Sequence, residues 1–180
     1  HENNSIKSFE LKTKLSFSGD FSERDFVAPN IVGMIEGSDR ELKDTYVLVS
    51  AHYDAFGIGK AIQGDSIYNG VFDNAIGASV LIEIAKAFTQ LNERPKRSII
   101  FLLTTGEEKG LLGSTYYADH AIFPLYKTIA NVNIDGIAYL DKFKTLIGVG
   151  KELSTLEENL IQVAKKNNLL IQQRSEERRV

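Results

Sequence analysis

"TYVLVSAH", residues 45 to 52, is the stretch on which the fold turns. It is short and apolar at both odd and even positions, which is the pattern of a strand buried on both faces rather than one face-on to water. Its end delivers His52. "SIIFLLTT" (98 to 105) has the same character and emerges at Gly106, just before the paired Glu107 and Glu108. Between the two runs, "NAIGASVLIEIAKAFTQL" sets Ile76, Val80, Ile84 and Phe88, joined by Leu81 and Leu91, at helical spacing, and Pro95 follows as a breaker. A Gly- and Asp-containing loop is expected between His52 and that helix.

Working outward, "NIVGMIEG" (30 to 37) reads as a strand closed by a turn, and "FELKTKLSF" (9 to 17) alternates Phe9, Leu11, Leu15 and Phe17 with period two, as a half-buried strand would. Downstream, "LLGSTYYADH" reads as a short helix, and "TIANVNID" (128 to 135) and "KTLIGVG" (144 to 150) as strands. "STLEENLIQVAKKNN" (154 to 168) reads as a helix capped by Ser154. Strand and helix alternate from residue 45 onward. The expected fold is therefore α/β, a three-layer αβα sandwich around a mostly parallel mixed sheet, with an antiparallel edge from the first strands.

Composition narrows the function classes. With 21 Lys and Arg against 24 Asp and Glu, the net charge of -3 gives no general attraction for nucleic acid, and none is expected as a partner. No segment approaches the roughly 18 uninterrupted apolar residues of a membrane-spanning helix. Cysteine is absent, so any metal must be held by His and carboxylate.

In an open sheet of this type ligands bind beyond the C-terminal strand ends. His52, Glu107, Glu108 and Asp135 all fall at such ends, and Asp73 precedes the helix start. Each has an ordinary reading on its own. "His-Tyr-Asp" can be a hydrogen-bonded pair at a strand end, Asp73 or Asn74 a helix cap, the glutamate pair a solvated first turn, and Asp135-Gly136 a turn. Together they are an imidazole and several carboxylates without thiols, a donor set for Zn²⁺ or, less favourably, Mn²⁺ or Co²⁺. There are more carboxylates than one catalytic zinc uses, so one of them can bridge two metals.

The motifs "VLVSAHYDAFG", "GDSIYNGVFDNAIGAS", "KRSIIFLLTTGEEKGLLGSTYYADH" and "ANVNIDG" resemble, in order and spacing, the co-catalytic di-zinc aminopeptidases of clan MH, relatives of aminopeptidase Y and glutamate carboxypeptidase II. The resemblance covers residues 27 to 172. It implies that His52 and Asp135 ligate one zinc and Glu108 the other, that Asp73 bridges both, and that Asp54 orients His52. It assigns Glu107 the role of general base in peptide-bond hydrolysis, and it implies a cis peptide after Asp73. The substrate would be a peptide or small aminoacyl compound, and an exported location is expected; the oligomeric state is left open.

Departures from the pattern are specific. Phe72 stands where the family commonly has a small residue, and "AIG" follows where Ser-Gly is usual. The family's second-zinc histidine comes from a later loop, and no histidine follows His120 here. The chain is accordingly expected to be a piece of a longer protein, with residues 1–173 a single peptidase domain truncated at both ends and 174–180, "RSEERRV", a non-native tail. Alone it is expected to bind one metal through His52, Asp73 and Asp135, and a second weakly through Asp73 and Glu108. A glutaminyl-cyclase-like enzyme on the same scaffold, and a non-catalytic receptor-type domain, are the alternatives.

Overall fold

The computed structural model describes residues 10, 12–20, 25–137 and 142–172. The tail expected at 174–180, and Phe9 and Leu11 of the first expected strand, lie outside the described residues. Among the described residues the main sheet has four strands, β1 (Ile31–Ile35), β2 (Tyr46–His52), β5 (Ser98–Thr104) and β6 (Thr128–Asn133), in the order β1-β5-β2-β6. β2 runs parallel to both β5 and β6, and β1 is antiparallel to β5. The mostly parallel sheet with one antiparallel edge is the expected one.

The continuous apolar runs are explained by what covers them. Helix α1 (Ile76–Thr89) buries Leu81 and packs Val80, Ile84 and Phe88 onto one face, against Val49, Ala51, Ile99 and Phe101. Helix α2 (Leu112–Asp119) sets Tyr117 on the other face, against Leu48, Ile100 and Leu102. Alternate residues of β2 and β5 therefore feed two separate cores, and both parities must be apolar. This is the three-layer αβα arrangement.

Three expectations need correcting. Over the described part of 9–17 the alternation does not become a strand: residue 10 and residues 12–17 lie outside any sheet, with Leu15 96% and Phe17 81% exposed. A period of two says which residues would share a face; it does not supply the neighbouring strand and core that make a strand stable. The loop expected after His52 contains a hairpin, β3 (Gly57–Ile62) with β4 (Asp65–Tyr68), antiparallel and exposed along nearly its whole length. With no buried face, it lacks the apolar alternation that marks a strand. Finally, β7 (Thr145–Ile147) does not join the main sheet. It pairs in parallel with β8 (Leu170–Gln172) across helix α3 (Leu156–Lys166). Ser154 lies one residue before the assigned cap Thr155, and its Oγ accepts from Leu156 N–H at 3.3 Å.

Candidate metal centre

β2, β5 and β6 end side by side, with His52 paired in register to Thr104 and Ser50 to Asn133. His52 is 2% exposed, and its ring is oriented from below: Nδ1 lies 3.2 Å from the main-chain carbonyl of Asp54. A carbonyl only accepts, so Nδ1 carries the proton and Nε2 is turned outward. Nε2 is 3.0 Å from Asp73 Oδ1 and 3.4 Å from Asp135 Oδ1, yet it is buried with no hydrogen-bond partner among the described residues. One ligand atom from each of His52, Asp73 and Asp135 lies within 4.8 Å of the others.

A buried nitrogen lone pair facing two carboxylate oxygens is unsatisfied as it stands and satisfied by a cation. The imidazole Nε2 with Nδ1–H given to a carbonyl is the ordinary arrangement of a metal-binding histidine. The residues fit one metal ion, and the all-N/O donor set suits zinc. The surrounding carboxylates also make the local field negative, which favours a cation at the ring, a proton or a metal ion alike. Burial alone pushes the His52 pKa down, but the charges of Asp135, Glu107, Asp54 and Asp73 outweigh it and hold the pKa above the ordinary value.

Asp54 ties this cluster to the glutamate pair. Its Oδ1 accepts from Glu107 N–H at 3.1 Å and its Oδ2 from Glu108 N–H at 3.2 Å, while Oδ1 stands 3.6 Å from His52 Nδ1. The carbonyl of Asp54 thus makes the closer contact with the imidazole, and its carboxylate fixes the turn carrying both glutamates. Glu107 and Glu108 are part-buried and stand outside the three-residue cluster. The Glu108 pKa is raised, first by burial and then by the charges of Asp73 and Glu107, so Glu108 shares the field of the cluster. A cavity of about 320 Å³ opens between α2 and the strand ends, and its lining includes His52, Glu107, Asp135, Ser50, Asn133 and Tyr117.

Residues 71–75 form an irregular turn rather than a regular helix start, with Asp73 at φ -125° and Asn74 at φ -139°, and the Asp73–Asn74 peptide is cis. The two residues separate the readings that the sequence left open. Asn74 is 1% exposed and accepts from Gly77 N–H at 3.1 Å, which is the capping role, while the Asp73 side chain is 57% exposed and faces His52. Sequence reasoning missed Ser50, whose Oγ lies 2.8 Å from Asn133 Oδ1 and 3.1 Å from Asn131 Oδ1 beneath the cluster. The signal was available, since Ser50 is two residues before His52 on a strand and shares its face.

Comparison with known proteins follows the same outline. The chain is similar to the glutamate carboxypeptidase 2 homolog of Caenorhabditis elegans, 33% identical over 113 residues that make up 60% of this chain and 13% of the relative. It superposes on a zinc aminopeptidase from Bacillus subtilis with a TM-score of 0.60 at 24% identity, covering 80% of this chain and 34% of that one. A glutaminyl cyclase from Bacteroides thetaiotaomicron superposes equally well, with a TM-score of 0.60 at 17% identity over 81% of this chain and 56% of that one. At these identities the two structures speak for the fold, and they do not separate the two chemistries. The model of peptidase family M28 matches residues 30–180, most of the chain, and with the motifs and cluster described above it establishes that the chain belongs to this family.

Proposed function

We propose that the chain is part of the peptidase domain of a longer zinc-dependent exopeptidase of the aminopeptidase type, acting on peptides or small aminoacyl compounds. The observation that carries this reading is the buried, unpartnered Nε2 of His52 facing Asp73 and Asp135. The coverage of its relatives, 13%, 34% and 56% of their lengths, supports the view that the active protein is longer than this chain.

His52, Asp73 and Asp135 would hold the first zinc. Bound there, zinc would polarise the scissile carbonyl and make an attacking water more acidic. Glu107, lining the same cavity, is the general base: its carboxylate takes a proton from the water as the C–O bond forms and gives it to the amine as the C–N bond breaks. The carboxylate of Asp54 holds the backbone of Glu107 in place for both transfers. A second zinc on Asp73 and Glu108 belongs to the proposal through the family resemblance, with its histidine supplied by the rest of the protein. Export is likewise proposed on the resemblance, and detection of the parent in a culture supernatant or periplasmic extract tests it.

Calorimetric titration of this chain with Zn²⁺ tests the centre directly. The expected result is one tight site, abolished in His52→Ala, with any second site weak; a folded sample that binds no zinc would remove the reading. In the longer parent, Glu107→Ala is expected to lower turnover by about 10²- to 10⁴-fold with metal content unchanged. Undiminished hydrolysis would take Glu107 out of its role. The second reading, a single-zinc glutaminyl cyclase, is supported by the single three-residue cluster found among the described residues and by the shared fold. Assaying the parent on aminoacyl arylamides and on N-terminal glutaminyl peptides separates the two. Retention of the cluster speaks against a non-catalytic receptor-type domain.

A further inference from the structure

Asp73 and Asp135 are 57% and 47% exposed in their side chains, so burial does not hold their carboxylates in place. Their chain neighbours do. Asn74 donates Nδ2–H to the carbonyl of Ile134 at 2.9 Å, and its Oδ1 accepts from Gly136 N–H at 3.4 Å as well as from Gly77 N–H at 3.1 Å. A carbonyl can only accept and an N–H can only donate, so these partners fix the amide in one orientation. The seat is closely fitted, because a Cβ at Gly77 would lie 2.2 Å from Asn74 Oδ1.

On the other side of Asp73, the Phe72 ring lies over Gly136, where an added Cβ would meet its Cε1 at 3.3 Å and Cζ at 3.5 Å. Gly136 has φ +59°, a left-handed conformation that suits glycine. Both neighbours of Asp73 are thus fastened to the neighbours of Asp135. A simple helix cap requires only the bond to Gly77. The bonds to Ile134 and Gly136, and the contact of Phe72, have no part in capping α1 and join the two carboxylate-bearing segments instead.

We propose that Asn74, assisted by Phe72, is a positioning residue that sets the separation of the Asp73 and Asp135 carboxylates around His52 Nε2, and so the affinity of this cluster for a divalent metal ion. The proposal rests on the reading of His52, Asp73 and Asp135 as a metal centre. Asn74→Ser separates the two roles of the residue, since serine caps a helix nearly as well as asparagine but is too short to reach the Ile134 carbonyl.

The test is the affinity of the full chain for Zn²⁺, measured by competition with a chromophoric chelator, beside the urea midpoint of the metal-free protein. Asn74→Ser is expected to weaken binding by about 10- to 100-fold under conditions where the variant is folded, the loss usual for groups that hold metal ligands in place. Phe72→Ala, at a half-exposed site, is expected to stay folded and to lose affinity several-fold. If Asn74→Ser does not fold, Phe72→Ala decides. Folded variants that bind zinc as tightly as the parent chain, whatever their stability, overturn the proposal and leave the metal centre standing. Failure of the unaltered chain to bind zinc removes the metal centre and the proposal with it.

Discussion

The two faces of the central strands are built from alternate residues of the same segments, yet they end differently. On the α1 face, Val49 and Ala51 of β2 and Ile99 and Phe101 of β5 are apolar to the strand ends and pack against Leu81 and Phe88. On the α2 face the sequence Tyr46, Leu48, Ser50, His52 changes from apolar to polar along the strand, and Leu102 is followed by Thr104. The first face is core throughout. The second is core at the N-terminal end of the strands and becomes the metal centre and its cavity at the other. A parallel pair of strands can therefore spend one parity wholly on stability and divide the other between stability and chemistry.

That asymmetry places the largest loss of stability on the α1 face. Phe101 is 6% exposed and its ring centroid is 6.4 Å from that of Phe88, so Phe101→Ala removes a well-surrounded ring. The expected cost is about 3–5 kcal/mol, read from urea denaturation with an unchanged slope. Leu102 is still more buried, at 2% exposed, but it borders the cavity and so is less completely surrounded by protein. Leu102→Ala should cost about 2–3 kcal/mol, the low end for such a truncation. Equal losses at the two positions would mean that the cavity face is as tightly packed as the other, and the comparison would fail.

The same contrast explains what could be read from sequence. β2, β5 and α1 were legible because burial on two faces or one stripe imposes a pattern on the residues themselves. The meeting of His52 with Asp135 was legible because strand ends in this architecture converge, so that residues distant in sequence come together. The β3–β4 hairpin was not legible, because hardly any of it is buried and nothing constrains its pattern. Nor were the side-chain ties made by Asn74 and Asp54. A hydrogen bond from Asn74 to Ile134 spans 60 residues, and no local rule predicts such a pairing. The alternation at residues 9–17 misled for the converse reason, since residues 10 and 12–17 carry the pattern but belong to no strand.

A smaller effect is expected where the α2 face turns polar. Ser50 is 7% exposed and its hydroxyl lies between the amides of Asn133 and Asn131 on β6. Ser50→Ala should cost about 1 kcal/mol, the net worth of a hydrogen bond lost at a part-buried site. Zinc affinity, measured alongside, should change less than in Asn74→Ser, since the Ser50 hydroxyl bonds to Asn131 and Asn133 of β6 and its main-chain bond to Ile134 survives in Ser50→Ala. A greater loss of affinity at Ser50 would shift the origin of ligand geometry from the Asn74 clamp to the strand beneath it.

The smallest effect at neutral pH belongs to Tyr117, and it tests whether the α2 face is dry where it borders the cavity. The side chain is 6% exposed and lines the cavity, and burial raises its pKa. Below the ordinary tyrosine value of about 10 the group is neutral in both folded and unfolded chains, and it makes no pH-dependent difference. As pH rises past that value the unfolded chain ionises first, so stability is lost progressively until the raised folded value is passed. Tyr117→Phe has no proton to lose. It should match the parent within about 0.5 kcal/mol at pH 7 and lose less stability than the parent at higher pH. Urea denaturation of both proteins at pH 7, 9 and about 10.5 gives the comparison, with every other tyrosine and lysine common to the two. Parallel alkaline losses would mean that water reaches the Tyr117 hydroxyl freely, and that the cavity side of α2 is wet to its core.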